Sequence, residues 1–468
     1  LLLLSLVRCA GLSHAPSRSF AACALVLLFC LAAGLLYGAS RSLDLVLRAL
    51  PFLGLALLLR AACLDHVTDD YVTFLSDWAA FCRENGGWAA VALPKGNYNA
   101  PYLYFLAAIS YLPVYDLYAI KLFSVLFDVL LAWGGCRLIA ALPGREGGAA
   151  ARAAAGFCLL LLLPTVVLNG SYWGQCDAIY GALCLHGLAS GLSGKPRSSV
   201  VLAALAFSCK LQTVFLLPVW AVLWMSRRVR FRDLLLFPAT YVLSILPALA
   251  LGKPLGDVLG VYFGQAAEYS AYLTLNAPSL YALIPYGMEV DTALWSKAGI
   301  LAAFLLVLGV LGWLLPRRRR LGNEAVMAAA VVFAVGVPLL LPHMHERYFF
   351  LADTLTLCWT CTRRRYLPLA VLTQIASLGG YHAYLVLRYA FPMGLGALML
   401  LAVLIASLAA LAWTAEENGW NTLYIGSEGG VKAGASCREM FKDCENLEEI
   451  IFGQNFDTKD VTDMRMMF

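Results

Sequence analysis

The amino-acid sequence predicts an all-α polytopic membrane protein, on three observations. Hydrophobic residues make up 61% of the 468, charged residues only 13%, and the mean hydropathy is +0.75, which is more apolar surface than a soluble domain can hide. Apolar stretches close to the roughly 20 residues that a helix needs to cross a hydrocarbon core recur from Phe20 to Trp413. The Lys and Arg residues behind the formal charge of +5 fall in short clusters beside those stretches, a pattern that reports orientation in a bilayer and not binding to nucleic acid.

In chain order, spans are expected at 20–38, 46–64, 117–141, 153–168, 177–192, 233–251, 292–314, 325–341, 347–361, 367–386 and 391–413. Between Lys195 and Arg227 the apolar stretch has basic residues at both ends and is interrupted by Lys210. It therefore reads as two half-helices returning to one side. Together these make a bundle of about 11–13 transmembrane helices. The start, LLLLSLVRCAGL, has no Met and reads as an N-terminally incomplete sequence. Residues 1–45 are taken as an N-terminal span and linker, 46–413 as the membrane domain, and 414–468 as a polar tail. Cys23, Cys30, Cys158, Cys184 and Cys209 lie inside apolar stretches, where a thiol acts as a small hydrophobe. The CWTC pair, Cys358 and Cys361, sits in an expected span too, which disfavours a redox or metal role.

Orientation follows from charge. Arg145, Arg152, Lys195, Arg197 and the clusters at 227–230, 317–320 and 363–365 fall on one side if the half-helices re-enter, and that side should be cytoplasmic. The opposite side collects 65–116, the turn NGSYWGQCD, the stretch 253–291 and HMHERY. In DDYVTFLSDWAAFCRENGG the stripe Tyr71, Phe74, Leu75, Trp78, Phe81 and Cys82 predicts an amphipathic helix lying on the membrane, with Asp69 or Asp70 as its N-cap and Gly86 and Gly87 at its end.

Three polar groupings share that face: Asp69 and Asp70 with Asp65 and His66 nearby, then Trp173, Gln175 and Asp177, then His343, His345, Glu346 and Arg347. A single such residue reads as a hydrated loop. Several ionisable groups at one end of one bundle read as a site, because charge at membrane depth is costly. Zinc is disfavoured, since the HxxxH spacing that puts two rings on one helical face is missing. A loosely held Mg or Mn ion near Asp70 stays open beside the alternative that His343, Arg347 and Lys210 supply the positive charge themselves. The sequence has no phosphate-binding GxxxxGK[ST] loop and no DxD pair for a nucleotide sugar's metal. That favours a donor already dissolved in the membrane.

In order, DDYVTFLSDWAAFCRENGGW, NYNAPYLYFLAAISYLP, SYWGQCDAIY, AFSCKLQTVFLLP and HMHERYFF resemble the successive signatures of bacterial GT-C membrane glycosyltransferases. The nearest group is the mannosyltransferases related to the GPI-anchor mannosyltransferase II family. The HxHER and FxxKxQ elements are similar to those of dolichyl-phosphate-glucose glucosyltransferases. The resemblance covers residues 46–413 and implies inverting transfer of a hexose, mannose or glucose, from a polyprenyl-phosphate donor to a glycan or lipid-linked acceptor outside a bacterial plasma membrane. It implies Asp70 as general base, with Asp69 as its competitor. Lys210, His343, Glu346 and Arg347 would bind the donor phosphate, and Trp173, Gln175, Asp177, Tyr98 and Asn99 would shape the sugar or acceptor side.

In the tail, NFDTKDVTDM is similar to BspA-like leucine-rich repeats, little more than one of which is present. A reading from another class is a multi-pass transporter or lipid-linked-sugar flippase, which inverted repeats and helices broken at mid-membrane would favour.

Overall fold

Helix length sorts the chain into elements that can cross a bilayer alone and elements that cannot. In a computed structural model the described residues are 1–143, 148–285, 287–417 and, in the tail, 421–425, 431–432, 436–437, 441, 447–452 and 456–465; Arg145 lies outside them. Among these, seven helices are long and apolar enough to span: Ala15–Ser40, Leu43–Cys63, Asp116–Ala140, Phe231–Ala250, Thr292–Leu314, Asn323–Leu340 and Met393–Ala415. An eighth candidate, Ala149–Leu162 with Pro164–Trp173, is bent by 47° where Pro164 interrupts the helical hydrogen bonds. The chain is thus a multi-pass integral membrane protein in its architecture.

Length and composition alone select fewer helices than the 11–13 expected, because the remaining expected spans are shorter or more polar helices. Asp177–Leu192 has 16 residues and Phe350–Thr362 has 13, so the latter rises only about 20 Å against a hydrocarbon core of about 30 Å. Both are buried along nearly their whole length. Their apolarity serves protein contacts and not lipid. Leu367–Leu385 reaches 19 residues but carries Thr373, Gln374, Ser377 and His382, which keep it less apolar than the seven.

Burial separates an inner from an outer ring. The Asn323–Leu340 helix is 89% buried and Asp116–Ala140 67%, whereas Phe231–Ala250 and Thr292–Leu314 are only 17% and 22% buried; the latter pair presents Leu243, Leu301, Phe304, Leu305 and Leu308 outward. Inner helices approach closely through glycines: a Cβ on Gly135 would collide with Leu160, and one on Gly156 with Ile139, so the two helices meet reciprocally. The Arg60 and Asp128 side chains pair at 2.9 Å, 1% and 0% exposed. Arg60 also donates to the Leu161 carbonyl at 2.9 Å, tying three helices. The Leu43–Cys63 helix runs through the expected 45/46 boundary, and Cys9, Leu12, Leu25 and Leu36 belong to the same core as the rest.

The basic loops gather at one end. Glu324 pairs with Arg363 at 2.9 Å and Arg365 at 3.4 Å, Arg228 donates to the Leu321 carbonyl, Asn323 to the Ala141 carbonyl, and Arg197 lies 3.8 Å from Asp233. Since Arg197 and Asp233 meet there, the half-helices Pro196–Cys209 and Pro218–Met225, separated at Lys210, do return to one side. From this end Asn323–Leu340 leads to HMHERY and Phe350–Thr362 leads back.

At the other end, the stripe predicted from Tyr71 to Cys82 forms one turn of π-helix, Tyr71–Leu75, followed by the α-helix Ser76–Glu84. Tyr71, Leu75, Trp78 and Cys82 are buried. Gly86 and Gly87 terminate it at φ 75° and 63°, a conformation that glycine adopts without strain. In the tail, Asn421–Ile425 pairs in parallel with Leu447–Phe452, Val431–Lys432 with Phe456–Asp457, and Ser436 with Asp463. Each partner lies about 25 residues further along the chain.

Candidate active site

Two segments of π-helix bring the first two polar groupings together. Asp70 immediately precedes Tyr71–Leu75, and Trp173 ends the second, Val167–Trp173. A π turn inserts one residue per turn and redirects the side chain that follows, a device common at functional sites. Gly174, at φ 88°, then turns the chain so that Gln175 points back. The Asp70 carboxylate receives three hydrogen bonds: Trp173 Nε1 donates to Oδ2 at 2.8 Å, Gln175 Nε2 to Oδ2 at 2.7 Å, and the Tyr384 hydroxyl to Oδ1 at 2.5 Å. The expected N-cap bond is absent because the Asp70 backbone is already helical, at φ −59° and ψ −39°, which leaves the carboxylate to these donors. Thr68 donates to the Trp173 carbonyl at 3.0 Å and Ser124 to that of Gln175 at 2.9 Å, fixing the turn from behind.

HMHERY divides its two histidines between different surroundings. His343 sits at φ 63°, which turns its ring away: Nδ1 meets the Tyr272 carbonyl at 2.6 Å and Nε2 the Ser296 hydroxyl at 3.2 Å. His345 instead pairs in a short parallel strand with Leu275 and meets the Tyr269 ring edge-on at 4.6 Å. Burial, with Arg347 and Lys210 nearby, pushes the His345 imidazole down to about 3, so it stays neutral.

Behind these lies a closed set of charges. Lys210 pairs with Asp177 Oδ1, and Arg347 with Glu346 Oε1 at 2.9 Å. Asn169 donates to Asp177 Oδ2 at 2.6 Å. Arg347 Nε lies 3.6 Å from that same oxygen and, though buried, has no hydrogen-bond partner. The guanidinium rests 5.2 Å from the Trp173 ring, a favourable cation–π arrangement. Burial pushes the Glu346 carboxyl up to about 7, against the pull of Arg347.

A cavity of about 320 Å³ joins the groupings, with Asp70, Gln175, Tyr98, Glu346 and Arg347 among its lining. Trp173, Asp177 and Lys210 stand behind this wall, only 0–5% exposed, and act through Asp70 and Arg347. Three expected site residues lie elsewhere. Asp69 is exposed and does not line the cavity. Asn99 caps the helix Ala100–Ile109 by accepting from the Ala100 amide at 2.8 Å and donates to the Tyr262 hydroxyl at 3.1 Å. His343 is held as described. His345, Asn97, Asn276, Tyr269, Trp78 and Tyr384 line the cavity and were not assigned to the site. Of these, the spacing in HMH contained His345. Nothing local marks Tyr384, 314 residues from Asp70.

The donor set does not fit a Mg or Mn ion. Both Asp70 oxygens accept hydrogen bonds, Glu346 is paired with Arg347, and among the described residues no three His, Cys, Asp or Glu groups converge. The arrangement offers one oriented carboxylate facing a buried guanidinium across a polar, aromatic-walled cavity. Comparison with known protein families, with curated proteins and with solved structures finds no match to this chain.

Proposed function

We propose that the protein is a membrane glycosyltransferase that moves a hexose from a polyprenyl-phosphate donor to a hydroxyl of a glycan or lipid-linked acceptor, with inversion. The observation that carries this reading is Asp70: a carboxylate fixed by three neutral donors in the lining of a cavity that Arg347 also lines. In the proposed step the acceptor O–H proton passes to Asp70 as the acceptor oxygen attacks the anomeric carbon. The bond from that carbon to the phosphate oxygen breaks, and the phosphate leaves with the electron pair. Arg347, which lines the cavity, meets the developing charge with its guanidinium, with Lys210 behind it. Tyr98, Trp78 and Tyr269 offer aromatic faces to a sugar ring and Asn97, Gln175 and Asn276 offer amides.

Location agrees with this chemistry. The cavity lies at the end of the bundle away from the basic loops, which under the positive-inside rule supports a site on the non-cytoplasmic face; the membrane proposed is a bacterial plasma membrane. A lipid-borne donor reaches such a site without crossing water. The test is transfer of radiolabelled mannose or glucose from the synthetic polyprenyl phosphate to a membrane acceptor extract by the purified protein. A new glycosidic product supports the proposal. Movement of the lipid-linked sugar across proteoliposomes without any new glycosidic bond makes the protein a flippase instead.

A further inference from the structure

The geometry points to Tyr384 as the positioning residue that narrows Asp70 Oδ1, the oxygen Trp173 and Gln175 leave open, to a single lone pair facing the cavity; this rests on the transferase reading above. A carboxylate has about four acceptor positions, two on each oxygen. Trp173 and Gln175 both donate to Oδ2, which fills that oxygen. The Tyr384 hydroxyl takes one position on Oδ1 at 2.5 Å. One position remains, on an oxygen at the cavity wall, and an acceptor hydroxyl has no other place on Asp70 to donate.

Tyr384 is itself held in place. Its ring stacks on Trp173 at 4.5 Å and 18°, so two of the donors to Asp70 form one aromatic pair. It occupies the last turn of Leu367–Leu385, and the chain then reverses at Leu387, φ 57°. Just beyond, the Tyr389 hydroxyl donates to Asn276 Oδ1 at 2.7 Å, which anchors this helix end to the segment pairing with His345. Asp70 also faces Glu346, Arg347 and His345 on the HMHERY loop, Tyr269 beside Asn276, Tyr98 on the segment before Ala100–Ile109, and its neighbour Asp69; Asp177 and Lys210 lie deeper. None of these donates to Oδ1. Trp173 and Gln175 close Oδ2, and Tyr384 is the donor that narrows Oδ1 to one open position.

Tyr384→Phe keeps the ring and its stacking and removes only the hydroxyl, which opens a second lone pair on Oδ1 and lets the carboxylate rotate. Two measurements follow. The rate of Asp70 modification by dicyclohexylcarbodiimide at one fixed pH, read by mass spectrometry, needs no substrate; it should rise severalfold in Tyr384→Phe. In the transfer assay kcat should fall about 10- to 100-fold and donor KM should hold. An unchanged carbodiimide rate overturns the inference whatever the substrate proves to be. A raised rate with no transfer by the wild type retains the hydrogen-bond role and removes the glycosyltransferase reading. Wild-type transfer with unchanged kcat in Tyr384→Phe also overturns it.

Discussion

Arg347 Nε lies 3.6 Å from Asp177 Oδ2, close enough for charge attraction and too far for a hydrogen bond. The arginine is therefore held electrostatically while one of its N–H groups stays unspent. Asp177 meanwhile neutralises Lys210 directly. Removing one member of a buried pair costs about 3–5 kcal/mol, because a charge is left uncompensated. Asp177→Asn and Lys210→Met should each lower the thermal unfolding midpoint in detergent, and the double variant should regain part of the loss. Strict additivity of the two losses would show that the pair is not coupled.

Asp70→Asn should retain donor binding and lose about 100- to 10,000-fold in transfer rate, the usual cost of a missing general base. Asp69→Asn should be close to wild type, since Asp69 is exposed and does not line the cavity. Single-turnover transfer with both variants checks this. A dead Asp69→Asn beside an active Asp70→Asn moves the base by one residue.

Glu346 sets a pH dependence. Its carboxyl titrates near 7 when folded against 4.5 as the ordinary value, so between these values the folded state holds a proton that the unfolded chain has released. Its contribution to stability is full at low pH and is lost as pH rises through about 7. A departing phosphate is likewise better received beside a neutral Glu346. Donor affinity should weaken as pH rises from 6 to about 8, and Glu346→Gln should flatten both trends. Calorimetric titration of the donor lipid phosphate across that range reads the effect; an equal slope in Glu346→Gln assigns it to another group.

Two residues of HMHERY separate in function. Arg347→Ala should raise the donor KM. His343→Ala should act on stability alone, because its ring serves Ser296 and the Tyr272 carbonyl. His343→Gly, which suits the backbone at φ 63°, should recover part of that loss. A donor KM defect in His343→Ala at wild-type stability would bring His343 into the site.

Cysteines introduced at Asn97 and Arg318 should differ in access to an impermeant maleimide applied to intact cells, over the signal of the native thiols. Labelling at Asn97 and not at Arg318 is expected. The reverse would place the cavity on the cytoplasmic face.

The long apolar helices were legible because spanning imposes a length and a composition that the residues must satisfy unaided. The expected boundaries at 292–314 and 391–413 accordingly lie close to the observed helices. The 347–361 and 177–192 stretches are helices as well, Phe350–Thr362 and Asp177–Leu192, but short ones sheathed in protein, which apolar composition does not distinguish from helices sheathed in lipid. Within the site, Asp70, Gln175, Glu346 and Arg347 were readable as polar groups that a bilayer edge tolerates only with a purpose. The exchange of His343 for His345 was not readable, since it turns on the sign of one φ angle. Tyr384 was hidden among many tyrosines until the packing of distant helices showed which one met Asp70.

The Lys210–Asp177 contact joins more than two side chains. Lys210 stands at the C-terminus of Pro196–Cys209 and Asp177 at the N-terminus of Asp177–Leu192, so each charge meets the helix end of opposite partial sign. The two helices run antiparallel, and their macrodipoles close head to tail through the ion pair. Such a loop of field within a bundle surrounded by hydrocarbon is reached poorly by counter-ions. Its hold on Arg347 should therefore be nearly independent of ionic strength, unlike the steering of any charged acceptor arriving from solution.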